Sequence, residues 1–290
     1  MKNVLITGAN SFIGTTVKQY LESFPDKYTV TAVGMRNGEW RNLTFSAFDS
    51  VYHVAGLAHA DVGKISEETI EKYYAINRDL AIEVAKKAKT EGVKQFIFMS
   101  SSIVYGDSAP IGKNKIISRD TAVHPDNFYG DSKRQAEIGL QELADDSFKV
   151  VILRPPMVYG KGSKGNYPIL SKIARIVPVF PKVDNQRSML YVGNLAEFVR
   201  LMIENEENGV FFPQNSQYSN TGDLVKMIAA AHGKKVVLIS GFTGLLKMLS
   251  HMTGLVNKAF GSFTYEKNLG NYKEEYCLYS LEQSIKETEK

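Results

Sequence analysis

Short apolar runs alternate with amphipathic stretches along the first half of the chain. The runs are near-continuous in apolar residues, as is typical of parallel strands covered on both faces. Between them, apolar residues recur at helical spacing. The predicted strands are Val4–Ile6, Tyr28–Val33, Val51–Gly56, Val93–Met99 and Lys149–Leu153, and the predicted helices are Ile13–Leu21, Ser66–Thr90 and the segment after Tyr129. This alternation predicts an α/β fold with a doubly wound parallel sheet of the Rossmann type.

The alternation ends after Pro156. Beyond it we predict helices at Tyr167–Ile176, Asn194–Glu204, Thr221–His232, Gly241–Phe260 and in the C-terminal sequence SLEQSIKETEK, and short strands at Val177–Phe180, Val210–Pro213 and Val236–Ile239. Such a mixture is typical of a smaller α+β domain. We therefore expect a first domain over residues 1–156, completed by about residues 187–212, and a second domain over residues 157–290.

The charge, the cysteine content and the apolar stretches of the chain indicate which partners and which cellular location to expect. The 290 residues carry a formal net charge of +4 with the basic residues spread along the sequence, which does not favour a nucleic-acid partner. Cys277 is the only cysteine, so it is expected to be structural. No signal sequence and no membrane span of roughly 20 apolar residues is recognisable, which predicts a cytoplasmic protein. We expect the apolar stretch Phe242–Phe260 to be a pocket lid or core, in preference to a partner-binding or membrane-surface patch.

The turn after the first strand, TGANSFIG, is the first candidate for binding chemistry. Gly8 permits a tight turn, Gly14 permits close contact between helix and strand, and the free N–H groups of the helix then face a pyrophosphate. Ser11 stands where the usual dinucleotide fingerprint has its middle glycine, so a loop with two incidental glycines is the alternative. The position directly after the first strand favours a dinucleotide site.

The end of the second strand bears on which dinucleotide binds. The sequence Val33-Gly34-Met35-Arg36 has no carboxylate for a ribose 2′-hydroxyl, and its arginine offers a charge for a 2′-phosphate. This slightly favours NADP over NAD, with a solvated loop arginine as the equal alternative. The next strand ends in Ala55 and Gly56, whose small size would let a flat cofactor lie against the backbone. His53, inside that strand, is expected to be a core histidine.

Tyr129 and Lys133 lie four residues apart in a predicted helix and therefore on the same face. A nearby ammonium favours the phenolate, so we expect the tyrosine pKa to fall from about 10 toward the range of a proton shuttle. An ordinary exposed helix face is the alternative. Three serine hydroxyls, at residues 100–102, follow the strand Val93–Met99 at the sheet edge where α/β proteins bind ligands.

These segments stand in a characteristic order, with TGANSFIG, HVAG, SSSIVYG, YGDSK, LRPPMVYG and RSMLYVGNL. The set resembles the extended short-chain dehydrogenase/reductase family, in particular its NAD-dependent epimerase/dehydratase members that act on nucleotide sugars. The resemblance covers nearly the whole chain. It implies a dinucleotide-binding first domain, a substrate-binding second domain, and a homodimer formed through the helices at Ser66–Thr90 and after Tyr129.

The resemblance also implies roles for single residues. Tyr129 resembles the catalytic acid/base, Lys133 the lysine that holds the nicotinamide ribose, and Ser101 the hydroxyl that bonds the reacting oxygen. Asn77 matches an asparagine of the facing helix, where it either braces the site or is exposed. Arg187 resembles the arginine that clamps the substrate diphosphate. The expected set is Ser101 (with Ser102 as runner-up), Tyr129 and Lys133 for catalysis; Gly8, Asn10, Ser11, Phe12, Ile13, Gly14, Arg36, Ala55, Gly56, Asn77, Tyr129, Lys133 and Pro156 for the cofactor; Ser101, Ser102, Asn166, Tyr167 and Arg187 for the substrate; and no metal ligand.

Two departures from the family's pattern narrow the activity. Met157 stands where sugar-nucleotide enzymes often carry asparagine, and Ser102-Ile103 stands where 4,6-dehydratases carry Asp-Glu. A dehydratase needs those carboxylates as acid and base, so dehydration is disfavoured. We expect an NAD(P)-dependent nucleotide-sugar 4-epimerase similar to UDP-glucose 4-epimerase, with an NADPH-dependent UDP-4-keto-sugar reductase as the alternative.

Two further alternatives fit the sequence less well. A non-catalytic dinucleotide sensor has no need of Ser101, Tyr129 and Lys133. A hydroxysteroid or small-carbonyl reductase would need an apolar pocket, whereas Arg187 argues for a diphosphate substrate.

Overall fold

The computed structural model describes residues 1–58, 65–252 and 254–290. In this part of the chain the strands are β1 Lys2–Thr7, β2 Tyr28–Val33, β3 Ser50–His53, β4 Gln95–Met99, β5 Ile116–Ile117, β6 Lys149–Leu153, β7 Met157–Tyr159, β8 Val179–Pro181, β9 Met189–Tyr191, β10 Gly209–Phe211, β11 Val237–Ile239 and β12 Thr264–Tyr265. The α-helices are α1 Phe12–Glu22, α2 Glu67–Tyr74, α3 Leu80–Thr90, α4 Phe128–Gln141, α5 Asn166–Ala174, α6 Val192–Glu204, α7 Thr221–Ala231, α8 Thr243–Met252, α9 Gly254–Phe260 and α10 Leu281–Glu289. A π-helical turn at Ala75–Asp79 joins α2 to α3, so the long helix predicted at Ser66–Thr90 is present with one irregular turn.

The described residues divide into two compact units. The first holds Met1–Gly106, Val123–Pro155 and Leu195–Pro213, and the second holds Asp107–Ala122, Pro156–Asn194 and Gln214–Lys290. The sequence division differs at residues 107–122, which it assigned to the first domain, and at residues 187–194, which it counted with the segment that completes that domain. Residues 107–122 contribute β5, which pairs in parallel with β12 near the end of the chain. The substrate-binding role of the second unit stays a prediction.

The described strands of the first unit form a six-stranded parallel sheet in the order β10-β6-β4-β3-β1-β2. Val4, Leu5 and Ile6 at the centre of β1 are fully buried, as their near-continuous apolar sequence predicts. This strand order confirms the predicted doubly wound α/β fold. Because all the strands are parallel, the segments that follow β1, β3, β4 and β6 lie along one edge of the sheet.

His53 is a core histidine, as predicted. Its ring is fully buried and stacks with Phe96 and with Phe98, whose centroids are 5.8 and 6.1 Å away. The imidazole Nδ1 lies 2.8 Å from the Thr7 hydroxyl. Burial lowers the pKa of His53 to about 3, and the Lys133 ammonium contributes to the fall, so the ring is neutral at physiological pH.

The second unit is built on small sheets. In its described residues three two-stranded parallel sheets are formed by β7 with β9, β8 with β11, and β5 with β12. Tyr159, Tyr167 and Phe180 belong to a buried cluster that also includes side chains of α7 and α10. The strand and helix predictions for this half are confirmed in type, with boundaries shifted by a few residues.

The predicted helix Gly241–Phe260 is present as α8 and α9, and residue 253 between them lies outside the described residues. Leu246 is buried in a cluster with Ile111 and Val183, which confirms the core prediction for this part. Phe242 and Met248 are exposed. None of the described helices is long and apolar enough to cross a membrane.

Candidate active site

One face of α4 presents Tyr129, Lys133 and Glu137, since consecutive members are four residues apart. Tyr129 is partly buried, and its ring makes an edge contact with Tyr73 of α2, with centroids 5.9 Å apart. Lys133 is only 5 % exposed and Glu137 is fully buried. The alternative of an ordinary exposed helix face is therefore wrong.

The start of α4 packs closely against the turn that follows β4. Asn127 caps the helix by accepting the N–H of Gly130 at 2.9 Å. A Cβ on Gly130 would lie 2.7 Å from the Ile103 main-chain oxygen, so this close approach requires glycine. The packing brings the Ser101 side chain to the phenol of Tyr129.

The Ser101 side chain lies near the phenol of Tyr129, where it favours the phenolate. The Ser101 Oγ also accepts the N–H of Ile103 at 3.2 Å, which fixes the hydroxyl beyond the end of β4. Burial raises the pKa of Tyr129 to about 12, and the nearby Ser101 hydroxyl opposes that rise. The expected fall of the tyrosine pKa is therefore wrong in this structure, because desolvation of the phenolate outweighs the interactions that favour it.

The Lys133 ammonium is buried and contacts strand β4. It donates a hydrogen bond to the Met99 main-chain oxygen at 2.8 Å and lies 4.7 Å from the centroid of the Phe98 ring. Burial lowers the pKa of Lys133 to about 8, and the Glu137 carboxylate opposes the fall. The charge of this lysine therefore changes close to neutral pH.

A buried ion pair one turn beyond Lys133 fixes α4 to the sheet. The Arg154 guanidinium donates to both carboxylate oxygens of Glu137, at 2.9 and 2.6 Å. The Ser100 hydroxyl donates to the same carboxylate at 2.5 Å, and Arg154 donates to the Tyr105 hydroxyl at 2.7 Å. The ends of β4 and β6 are thus tied to the helix that carries Tyr129. Sequence reasoning missed Glu137 and Arg154, although the four-residue spacing from Lys133 was a usable signal.

Asn77 braces the site and is not exposed. It lies in the π-helical turn, accepts the Leu57 N–H at 2.8 Å, and donates to the Leu57 oxygen and the Ser132 hydroxyl, each at 3.1 Å. Ser132 in turn donates to the Tyr129 main-chain oxygen at 2.8 Å. One buried amide thereby connects the segment after β3 to the first turn of α4. A direct contact between Asn77 and a cofactor stays a prediction.

The turn between β1 and α1 has the tight packing that a dinucleotide loop needs. Gly8 has a φ of +109°, and a Cβ there would lie 2.8 Å from the Ala55 nitrogen. A Cβ on Gly14 would lie 2.7 Å from the Gly8 oxygen. Neither position can carry a side chain without a shift of backbone, so the two glycines are not incidental. The close packing that the sequence predicts is therefore present, and binding of a pyrophosphate at this loop stays a prediction.

Ser11, at the position of the missing glycine, caps α1. Its Oγ accepts the N–H of Gly14 at 2.9 Å, which satisfies one of the donors at the start of the helix. The N–H groups of Phe12 and Ile13 precede the first intrahelical bonds and can face an anion. Asn10, beside them, is exposed. The serine therefore leaves the helix start usable for phosphate.

The segments that follow β2 and β3 contain further residues predicted to bind the cofactor. A Cβ on Gly34 would have open space around it, and Arg36 is exposed, so room and a positive charge occur together after β2. A Cβ on Gly56 would lie 3.0 Å from Asn77 Oδ1 and 3.1 Å from Lys133 Nζ. A side chain at Gly56 would therefore crowd the protein's own site residues, which is a reason for glycine that the sequence did not reveal.

The predicted substrate residues fall in both units. Ser102 follows Ser101 in the first unit, and its N–H donates to the Pro155 oxygen at 2.9 Å. In the second unit, Tyr167 is buried and stacks on Tyr159 with centroids 5.1 Å apart. Asn166 is partly buried at the start of α5, and Pro156 is buried at the start of the unit.

Arg187 lies in an extended segment of the second unit. Its main chain exchanges two hydrogen bonds of 2.9 Å with Ser219. Burial lowers the pKa of Arg187 to about 10, which still leaves the guanidinium charged at neutral pH. The approach of Asn166, Tyr167 and Arg187 to a substrate at Tyr129 stays a prediction.

Comparison with known proteins finds relatives that are similar in sequence and solved structures that share the fold. The sequence pattern of the "NAD dependent epimerase/dehydratase family" matches residues 4–212. UDP-glucose 4-epimerase of Vibrio cholerae is 31% identical over 254 residues, which are 80% of this chain and 76% of that protein. The N-acetyl-alpha-D-glucosaminyl-diphospho-ditrans,octacis-undecaprenol 4-epimerase of Escherichia coli O157:H7 is 30% identical over 258 residues, which are 81% of this chain and 73% of that protein.

Solved structures share the fold at lower identity. UDP-glucuronic acid 4-epimerase from Bacillus cereus in complex with NAD superposes with a TM-score of 0.73 at 18% identity, covering 98% of this chain and 96% of that one. The human epimerase family protein SDR39U1 with NADPH superposes with a TM-score of 0.76 at 18% identity, covering 99% of each chain. The neighbours thus include binders of either dinucleotide, and the likeness establishes the fold.

Proposed function

Because the chain belongs to the NAD-dependent epimerase/dehydratase family of extended short-chain dehydrogenases/reductases, we propose that it is a 4-epimerase of a sugar joined to a diphosphate. The observation that carries this proposal is the placement of the Ser101 hydroxyl near the Tyr129 phenol, on a helix whose next turn holds the buried Lys133. A module that only binds a dinucleotide needs no such arrangement. The two relatives that are at least 30% identical over about 80% of the chain are both named as 4-epimerases, which supports position 4 of the sugar.

The chain's own groups supply the proton chemistry. Tyr129, as phenolate, takes the proton of the sugar C4 hydroxyl, and Ser101 donates a hydrogen bond to the same oxygen. Lys133 favours the phenolate through its positive charge once a bound substrate and cofactor bring these groups together. When bound, the nicotinamide cofactor supplies hydride transfer at C4. Tyr129 then returns the proton to the C4 oxygen of the epimer.

The residues of the β1–α1 turn would hold the cofactor. Gly8 and Gly14 let the backbone approach the pyrophosphate, and the N–H groups of Phe12 and Ile13 would bind its oxygens. Arg36 would pair with a 2′-phosphate, since a guanidinium makes charge-assisted hydrogen bonds to phosphate. NADP is therefore slightly favoured over NAD.

The second unit would bind the diphosphate side of the substrate. Arg187 is the candidate clamp, with Asn166 and Tyr167 near the nucleotide. A nucleotide sugar such as UDP-glucose is the first candidate. One relative acts, by its name, on a sugar carried on undecaprenol through a diphosphate, so a polyprenol-linked sugar is a second candidate with the same clamp. We also propose a homodimer through α2, α3 and α4, which light scattering of the purified protein tests.

A keto-sugar reductase is the second candidate function, and two observations favour it. The pKa of Tyr129, about 12, keeps the phenol protonated at neutral pH, which is the form that donates a proton to a ketone oxygen. Arg36 beside the open space at Gly34 suits NADPH, the usual cofactor of net reduction. One relative, 26% identical, is named as a UDP-4-keto-sugar reductase of Pseudomonas aeruginosa.

The two functions are separated by an assay of the purified protein. UDP-glucose and UDP-N-acetylglucosamine are incubated with NAD or NADP and followed by NMR. An epimerase interconverts the C4 epimers with no net change in the cofactor. Stoichiometric consumption of NADPH on a UDP-4-keto sugar, with no epimerisation of either UDP sugar, would replace the epimerase proposal with the reductase.

A further inference from the structure

Two long segments of the second half lack acidic residues. No Asp or Glu occurs between Asp146 and Asp184, and none occurs between Asp223 and Glu266, although the chain has 31 acidic residues. These segments contribute α5, β8, α8 and β11 to the second unit. The local excess of positive charge is therefore much larger than the net charge of +4 for the whole chain indicates.

The small sheet of β8 and β11 turns an apolar face to solvent. The two strands pair in parallel, with Val179 opposite Val237. Phe180 and Leu238 point inward to the core of the unit. Because side chains alternate along a strand, Val179 and Val237 face outward, where they are 48 and 60 % exposed, and Ile239 is exposed beside them.

The apolar face continues onto α5. Ile169 lies on α5, and Ile176 lies in the turn directly after it, where its N–H donates to the Ile173 oxygen. Ile169 is exposed, and Ile176 is 79 % exposed. Val179 of β8 follows Ile176 by three residues. The Val237 N–H donates to the Pro178 oxygen, which joins β11 to the start of β8. Five exposed aliphatic side chains thus occur on α5, the turn after it and the paired strands β8 and β11.

Basic residues border this surface. Lys234 donates a hydrogen bond to the Arg175 main-chain oxygen, which places the start of β11 against the end of α5. We call the five aliphatic residues and their cationic neighbours the basic–apolar strip. Its exposed cations are Lys172, Arg175, Lys182, Lys234 and Lys235. Two carboxylates lie close to these five cations. Glu289 Oε2 is 2.8 Å from the Ser171 hydroxyl and 2.7 Å from His232 Nε2, and Asp184 follows Lys182 by two residues, so positive charge remains in excess.

We propose that the basic–apolar strip docks this protein onto the surface of an anionic phospholipid bilayer. Aliphatic side chains surrounded by lysine and arginine are the combination that inserts at the boundary between lipid headgroups and acyl chains, and each cation adds attraction to anionic lipid. A second copy of the strip is a poor partner, since five cations would face five others. The proposal goes beyond the proposed function and does not depend on the chemistry of Tyr129.

Co-sedimentation of the full chain with vesicles tests the proposal. The vesicles are phosphatidylcholine alone and phosphatidylcholine mixed with phosphatidylglycerol. We expect binding to the anionic vesicles, weakened by salt, and little binding to the neutral ones. The variant K234E/K235E should lose at least about tenfold in affinity. The variant V237S/I239S should also bind more weakly, while its binding stays sensitive to salt.

A matched control changes an exposed lysine and an exposed isoleucine outside the strip, in the variant K113E/I116S. It should bind vesicles like the unmodified protein. Circular dichroism confirms that each variant is folded, and turnover of a water-soluble UDP sugar without vesicles reports the proposed function separately. The proposal is overturned if anionic vesicles do not sediment the protein, or if the strip variants bind like the control. It is also overturned if the strip variants dissociate a lipid-free dimer in light scattering, because the strip would then be a protein interface.

Discussion

The Arg154 guanidinium lies 2.6 Å from the fully buried carboxylate of Glu137, and this pair joins the end of β6 to the helix of Tyr129. The Ser100 hydroxyl bonds the same carboxylate, directly before Ser101 in the sequence. The buried Glu137 carboxylate therefore helps to position both hydroxyls that would act on a substrate, those of Ser101 and Tyr129. We regard Glu137 as a positioning residue, since it acts through α4 and the end of β4.

Removal of one partner of this pair should be strongly destabilising. The substitution Arg154→Met leaves the Glu137 carboxylate buried without its main partner and should cost about 3–5 kcal/mol in the free energy of unfolding. The matched control is Arg134→Met, which removes a half-buried arginine 3.3 Å from the same carboxylate and should cost about 1 kcal/mol or less. Urea unfolding measures both. Recovery of most of the loss in the double variant E137M/R154M would confirm the cause, and equal losses for the two arginines would contradict it.

The substitution Tyr129→Phe tests the acid/base directly. It removes only the phenolic oxygen, so the fold should be retained, while kcat should fall by roughly 100-fold to 10,000-fold. Tyr73→Phe is the matched control, because its ring contacts that of Tyr129 and its hydroxyl donates a long hydrogen bond of 3.4 Å to the Ala58 oxygen. The control should keep near-normal kcat. Turnover by Y129F at the unmodified rate would remove Tyr129 from the mechanism.

The lowered pKa of Lys133 predicts how stability depends on pH. Between about pH 8 and pH 10.5 the unfolded chain binds this proton and the folded chain does not, so the contribution of Lys133 to stability rises with pH. The free energy of unfolding of the unmodified protein, relative to Lys133→Met, should therefore grow across this window by up to about 3 kcal/mol. Urea unfolding of both proteins at the two ends of the window measures the difference. A difference that is constant with pH would mean that Lys133 keeps an ordinary pKa.

The choice of cofactor depends on Arg36. If this exposed guanidinium binds a 2′-phosphate, Arg36→Ala should weaken NADPH by roughly tenfold to a hundredfold and leave NADH unchanged. Arg41→Ala is the control, since Arg41 is already paired with Glu83 at 2.6 Å and lies over the Trp40 ring. Fluorescence titration of each variant with both dinucleotides gives the ratio of affinities. An equal effect of R36A on both cofactors would assign Arg36 to the solvated loop.

Patterns of neighbouring residues predicted those features of the fold that depend only on nearby sequence. The alternation of strand and helix, the close packing at Gly8 and Gly14, and the buried His53 follow from apolar runs and residue size. The pairing of Glu137 with Arg154 does not, because it joins residues 17 positions apart through tertiary structure. The same holds for residues 107–122, whose place depends on β12.

The pKa of Tyr129 shows a second limit of sequence reasoning. The four-residue spacing to Lys133 correctly placed both residues on one helical face. It gave the wrong direction for the pKa, because burial is set by the packing of Tyr73 and the turn after β4 and not by sequence spacing. The close approach of Lys133 and Asn77 to Gly56 was likewise invisible until the segments were brought together.

The central claim is that Tyr129 and Ser101 catalyse reversible oxidation at the sugar C4, with the hydride returned to the same carbon. The most direct measurement uses UDP-glucose deuterated at C4, followed by NMR together with the absorbance of reduced nicotinamide. We predict that UDP-galactose forms with deuterium retained at C4 in both epimers and with no net change in the cofactor. Loss of deuterium from C4 during turnover, or reaction only as net reduction of a 4-keto sugar by NADPH, would contradict the claim.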